Sequence, residues 1–227
     1  MIIAIQQPEH IPWIGFFNKM VSVDEFIYLD NVQFKKRYFE NRNKIRTPDG
    51  WGWLTVPVMT KDLYKQKIND VEIDNSRAWI KKYLNGIKSN YGKAAFFEEV
   101  FNDLADIMNK EHKKLVTLNL ALIDFVRTYL GISTPVLCSS SICEGIGSGL
   151  ILDICARRNA SIYLSGPDGR SYLRAEEFNE NNIEVNYHDY VHPEYKQLKG
   201  SFISHMSIID LLFNYGKKSL EVIKGKS

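Results

Sequence analysis

At 227 residues the chain can bury a substantial core, as one large domain or as one domain with a small appendage. Hydrophobic residues at 44% and charged residues at 25% are the proportions of a soluble globular protein. A formal net charge of +2 excludes a strong electrostatic footprint for nucleic acid or a membrane surface, and groups such as Lys35-Lys36-Arg37 and Lys217-Lys218 read as solvated surface.

The first expected strand, Ile2–Ile5, is apolar and followed at once by Gln6-Gln7. It lacks a basic leader and a small-residue cleavage pattern, so it reads as a buried strand of a cytoplasmic protein and not as a signal peptide. No run of about 18 apolar residues follows anywhere, so no membrane insertion is expected. A helix from near Pro12 to Met20 comes next, with proline tolerated in its first turn. Glu25–Leu29 is a second strand with Asp30 at its end. The runs Gln33–Lys36, Asn43–Thr47, Trp51–Val58 and Lys67–Ile73, broken by Pro-Asp-Gly and polar turns, predict a β-rich antiparallel insertion over 31–75.

From Ser76 the period becomes helical, and 76–131 reads as a helical segment. Trp79, Ile80, Tyr83, Leu84 and Ile87 mark one apolar face, and Phe96 to Met108 and Leu115 to Leu130 are two further helices, the last stopped by Gly131. Strands at Pro135–Cys138, Ser161–Leu164 and Ile183–Tyr187 then alternate with helices at Leu150–Arg157 and Tyr172–Asn181. An amphipathic helix, Ser207–Tyr215, ends at Gly216; its apolar face fits its own core or a second copy of the chain in a homodimer. Alternation at both ends predicts an α/β fold with a mainly parallel, Rossmann-like sheet flanked by helices.

Four segments carry candidate chemistry. The turn after the first strand holds Gln7, His10, Trp13 and, one helix turn on, Lys19; it suits a polar, partly planar ligand, or serves only to anchor the helix through Pro12 and Trp13. The stretch from Asp30 through Gln33 and Lys35 to Asn41-Arg42-Asn43 would bind a hydroxyl, an amine or a phosphate, or else shape a turn and a surface ion pair. Ser165, Asp168, Arg170 and Tyr172 surround a Gly-Pro-Asp-Gly turn that either approaches an anionic ligand or is a common loop. His192 and Tyr195 form the fourth segment. His10, His188 and His205 add imidazoles, but no HExxH or paired-His helix spacing supports a metal site.

Cys138, Cys143 and Cys155 cannot all pair and fit no zinc spacing, so they read as reduced thiols. No phosphate loop, dinucleotide fingerprint or nucleophile elbow is present, and Glu144-Gly145-Ile146-Gly147-Ser148-Gly149 reads as a flexible lead-in.

The runs IIAIQQPEHIPWIGFFNKM, DEFIYLDNVQFKKRYFENRNKI and WLTVPV, followed by YLSGPDGRSYL, HPEYKQ and SIIDLLFNYG, together resemble the WbqC-like family in the expected order from residue 2 to about residue 216. The resemblance implies a single WbqC-like α/β domain over 1–227 and a bacterial protein of O-antigen or other surface-polysaccharide biosynthesis. It implies a transferase that places an acyl or aminoacyl (glycyl-type) group on a nucleotide-linked amino sugar, a small-molecule partner with no nucleic acid and no named cofactor. In that reaction Asp30 or His192 would take the amine proton, with His10 a weaker candidate because relatives carry Tyr at its place. Arg170 and Lys35 would hold the pyrophosphate, Gln7 and Asn41 would orient the sugar, and Trp13 would stack on a ring. A fainter likeness to the HUP-type nucleotidylyltransferase fold gives an alternative, nucleotidyl transfer or ATP-dependent ligation. There Trp13 and Phe16 stand in the two histidine places of the phosphate-handling motif. The third reading is a non-catalytic binding partner in a glycan-assembly complex.

Overall fold

The structure, a computed structural model, describes residues 1–225. The elements in chain order are β1 (Ile2–Gln6), α1 (Ile14–Val21), β2 (Glu25–Tyr28), β3 (Arg42–Thr47), β4 (Gly50–Thr55), α2 (Trp79–Tyr91), α3 (Phe97–Met108) and α4 (Leu115–Leu130). They continue as β5 (Val136–Cys138), α5 (Gly147–Arg157), β6 (Ile162–Ser165), α6 (Ala175–Glu180), β7 (Glu184–Tyr187), α7 (Ile208–Tyr215) and α8 (Ser219–Ile223). Two compact units result: Met1–Pro8 with Asn18–Val32 and Ser133–Val191, and Glu9–Phe17 with Gln33–Ile132 and His192–Ser227. No described helix is long and apolar enough to cross a membrane.

The first unit is a parallel five-stranded sheet of order β5-β2-β1-β6-β7. Chain order therefore reverses between β1 and β6, which start at the sheet centre and step outward in opposite directions. The central strands are apolar and buried on both faces, as a parallel sheet covered by helices requires. Ile3, Ile5 and Tyr163 pack with Leu150, Ile151 and Ile154 of α5 and Phe178 of α6. Each fully buried aliphatic side chain there contributes roughly 1.5–3 kcal/mol. Glu25 is tied by a bidentate contact to Arg158 at 2.9 and 2.8 Å.

The second unit contains the β3–β4 antiparallel hairpin and helices α2, α3, α4, α7 and α8. Gly131, at φ +69°, closes α4 and lets the Ile132 amide return to the Arg127 carbonyl at 2.8 Å. Ser207 caps α7 by accepting from the Ile209 amide. Its neighbour Asp210 is buried and accepts from the Tyr91 and Tyr195 hydroxyls at 2.9 and 2.7 Å and from Gln197 at 2.9 Å.

Several predicted boundaries move. Of the four runs expected in the β-rich insertion, only two form regular strands; Gln33 and Lys67, and Val58 and Ile73, meet as isolated bridges. The run at 67–73 also bridges Glu72 to Lys114, and the Phe34 and Ile73 amides reach the Gln66 and Lys113 carbonyls, so these runs are tied by scattered hydrogen bonds without a regular ladder. The Gly-rich lead-in begins α5 at Gly147, and Pro167–Ser171 forms a 3-10 turn, delaying α6 to Ala175. Proline fits that first turn, and its rigid φ sets a short tight helix before the longer one starts.

Candidate functional site

The strand-order reversal puts the carboxyl ends of β1 and β6, Gln6 and Ser165, side by side. In an open parallel sheet this is where a crevice for a ligand forms. Lys19, in the last part of α1, which belongs to this unit, is only 2% exposed. Its Nζ donates to Gln6 Oε1 at 3.3 Å. Ser165 is buried, and its Oγ donates to the Gly166 carbonyl at 3.0 Å. A Cβ on Gly169 would stand 2.1 Å from Ser165 Oγ, so the 3-10 turn can pass this close to the strand end only as glycine.

His188 completes the edge. It follows β7, and its amide extends the β6–β7 ladder to the Ser165 carbonyl at 2.8 Å. Its Nε2 lies 2.7 Å from Asn18 Oδ1, and its ring stacks parallel to Tyr190 at 5.6 Å. Burial, then the Lys19 charge, lowers its pKa to about 4, so the imidazole is neutral at neutral pH. With the Asn18 amide oxygen as partner, Nε2 carries the proton and Nδ1 presents the lone pair. A cleft of about 410 Å³ in this unit is lined by Asn18, Asn186, His188 and Tyr190 and reaches Ile2 and Ile162 at the amino ends of β1 and β6; Gln6, Lys19 and Ser165 are not part of its lining. Burial raises the Tyr190 hydroxyl to about 12, so it is a donor throughout the physiological range.

Sequence reasoning placed His188 only among histidines weighed for metal. The signal that could have found it is its place immediately after a short strand that closes an α/β alternation, since the carboxyl ends of such strands face the crevice. Of the predicted residues, Gln7, Lys19 and Ser165 come to the ends of β1 and β6. Asp30 lies at the end of β2 and is 4% exposed. Its carboxylate accepts from Ser140 N at 2.9 Å, Ser140 Oγ at 2.6 Å and Ser139 Oγ at 3.0 Å, which fastens β2 to the turn after β5. Arg170 is exposed, held bidentately by Asp189 at 2.9 and 2.6 Å and laid over the Tyr187 ring at 4.2 Å. Asp168 is exposed beside it, and Tyr172 is 50% exposed.

The remaining predicted residues belong to the second unit. His10 has no exposed surface; Nδ1 lies 2.9 Å from Asn119 Oδ1 and Nε2 lies 2.5 Å from the Tyr83 hydroxyl. Burial lowers its pKa to about 4. Asn43 donates to the His10 and Ile11 carbonyls at 3.2 and 3.0 Å, and Asn41 donates to the Val56 carbonyl at 2.9 Å. Gln33 reaches the Tyr64 carbonyl at 3.1 Å, and Arg42 reaches the Arg37 carbonyl. Lys35 sits over the Tyr38 ring at 5.2 Å.

Trp13 stacks on His192 at 5.9 Å and on His205 at 4.8 Å, and His192 stacks on Tyr195 at 6.2 Å. Gly15 is part of that arrangement, because a Cβ there would stand 2.2 Å from the Trp13 indole. His192 Nδ1 lies 2.8 Å from the Pro193 carbonyl, and burial, opposed by that contact, lowers its pKa. No group of three or more His, Cys, Asp or Glu among the described residues is arranged to hold a metal ion.

Fold and crevice define an α/β protein with a doubly wound parallel sheet, a buried lysine near the point where strand order reverses and a half-buried imidazole after the edge strand β7. The profile of the WbqC-like protein family matches residues 7–222, and the chain belongs to that family. It is 39% identical to the uncharacterized protein Rv1507c of Mycobacterium tuberculosis over 226 residues, which cover 98% of this chain and 97% of that relative. No solved structure matches.

Proposed function

We propose that the chain transfers an acyl or aminoacyl (glycyl-type) group from an activated carboxyl donor to the amine of a nucleotide-linked amino sugar, in the assembly of a bacterial surface polysaccharide such as O-antigen. The observation that carries the reading is the neutral imidazole of His188, fixed by Asn18 and placed beside buried Lys19 at the carboxyl edge of the sheet. The amine nitrogen attacks the acyl carbon, the new C–N bond forms, and the bond to the donor's leaving group breaks. His188 Nδ1 takes the amine proton and returns it to the leaving group. Lys19 faces the negative charge of the diphosphate or of the tetrahedral oxyanion. His188 serves here in place of Asp30 or His192. The Asp30 carboxylate is occupied by Ser139 and Ser140, and His192 belongs to a ring stack.

Nucleotidyl transfer is the weaker reading. Phe16 is completely buried, so the place corresponding to a phosphate-handling histidine holds a core side chain.

The test is a thermal-shift screen of nucleotide sugars with and without a free amine, and of ATP. A ligand at about a hundred to a thousand times its Kd stabilises the fold by roughly 2.7–4.1 kcal/mol. Nucleotide amino sugars should shift the transition, Lys19→Met should remove the response, and His188→Gln should keep binding while losing transfer. Equal response to amino and hydroxyl sugars would sink the acceptor assignment. Pyrophosphate release from ATP would favour nucleotidyl transfer, and binding without turnover over a broad donor panel would favour a non-catalytic partner.

A further inference from the structure

The β3–β4 hairpin carries a second feature that the transfer chemistry does not use. Side chains alternate along paired strands, so Asn43, Ile45 and Leu54 turn to the buried face while Arg42, Lys44, Arg46, Trp51 and Trp53 share the other, with Arg46 itself covered. Trp51 and Trp53 are left 45% and 39% exposed. Their rings lie 5.5 Å apart at 86°, forming an open corner instead of a stack. The Arg42 guanidinium sits 3.9 Å from the Trp53 ring and supports one face of it. The Lys44 ammonium lies in the corner, 4.6 Å from the Trp51 ring and 5.8 Å from the Trp53 ring. Neither strand, RNKIRT or GWGWLT, contains a carboxylate, so the cations on this face have no acidic partner within the hairpin strands.

We propose that this face binds an anionic sugar, a pyranose carrying a carboxylate or a phosphate. One face of such a ring presents C–H groups that pack on the exposed Trp51 indole, and its rim meets Trp53 across the corner. The anion then pairs with Lys44, whose ammonium already lies over both rings, drawn by the negative faces of their quadrupoles. Charge complementarity selects an anion over a neutral sugar. The perpendicular indoles select a puckered ring over a flat base, which would stack best between parallel faces. A single-stranded nucleic acid also needs a basic track along several nucleotides; of the three cations on this face Arg46 is taken up by the Gly50, Lys199 and Ser201 carbonyls, and Arg42 and Lys44 do not supply one.

Isothermal titration calorimetry on the full chain tests this with galacturonate oligomers, glucose 1-phosphate, a neutral malto-oligosaccharide and a short oligothymidylate. The uronate, the sugar phosphate or both should bind, and which of them binds tells carboxylate from phosphate. The neutral oligomer should bind at least about tenfold more weakly. Trp51→Ala and Lys44→Gln should each weaken anionic-sugar binding at least about tenfold, with melting curves confirming the fold. Lys44→Gln leaves both indoles in place and so tests the anion contact by itself. No binding by either anionic sugar, undiminished binding by Lys44→Gln, equal affinity for the neutral oligomer, or tighter binding of the oligothymidylate overturns the proposal. The readout is binding without turnover and its variants are not residues of the His188 crevice. Its failure would leave the transfer reading standing, and failure of that reading would leave this one standing.

Discussion

Replacing His10 with Gln should flatten the acid side of the stability profile. His10 is completely buried, its two ring nitrogens engaged by Asn119 and Tyr83, and burial holds its pKa at about 4 against an ordinary value of 6.5. Between those values the unfolded chain binds a proton at this site that the native state excludes. Stability therefore rises with pH across the window and is lost as pH falls from the upper value toward the lower. From about pH 7.5 to about pH 5, His10 alone removes roughly 2 kcal/mol of stability by this linkage. His188 acts in the same direction, while Glu40, whose pKa burial raises to about 7, opposes it by losing stability as pH rises. The wild-type curve is thus a sum, and only the difference between wild type and His10→Gln isolates the site. Gln keeps a donor and an acceptor but does not titrate. The variant should start lower at neutral pH by about 1–3 kcal/mol, through imperfect hydrogen bonding. It should then lose roughly 2 kcal/mol less than wild type on acidification, read from urea unfolding at constant ionic strength. Equal losses for the two proteins would refute the claim that His10 is a neutral structural hub.

Asp30→Ala strips the acceptor from Ser139 Oγ, Ser140 N and Ser140 Oγ and should cost roughly 1–3 kcal/mol, seen as a Tm several degrees lower. Gly15→Ala forces the Trp13 indole away from its present place, so it should destabilise by about 1–3 kcal/mol and red-shift part of the tryptophan emission; an unchanged spectrum would contradict the packing. Burial holds the Cys155 thiol at about 12 and Cys138 at about 11, whereas Cys143 is raised less. A thiol reagent near pH 8 should therefore modify Cys143 first and Cys155 only on unfolding, as peptide mapping would show.

The parallel sheet was legible because its strands are short apolar runs separated by helical periods, and β1, β2 and α4 fall within a residue or two of where pattern puts them. Runs 33–36 and 67–73 misled because alternation records which side chains are buried and not whether a backbone partner exists. Those segments are buried in places yet paired only through isolated bridges. Gly147 and Gly149 looked like loop, but tertiary packing of Ser148, Leu150 and Ile151 pulls them into α5. At the candidate site, Lys19 and Ser165 were visible from their places near strand and helix ends. The structural employment of His10 and Asp30 was not visible, because their partners Asn119, Ser139 and Ser140 are about a hundred residues away in the chain. His188 was hidden for the same reason: its character comes from Asn18 and Lys19, far away in sequence.

That dependence gives the crevice a logic of its own. A base held at about 4 is neutral and available, but it is a weak proton acceptor for an amine. Burial is the larger cause of the shift, and the Lys19 charge is the second. An anion bound against Lys19 would offset that charge and raise the imidazole's basicity only when substrate is in place. A lysine kept at 2% exposure on a helix packed against a sheet also runs against packing economy, since an apolar side chain of similar volume would avoid the desolvation of an ammonium. In the proposed site Gln6 accepts from the ammonium, Asn18 pairs with the imidazole, and a ligand's own negative charge would complete the electrostatic balance between Lys19 and His188.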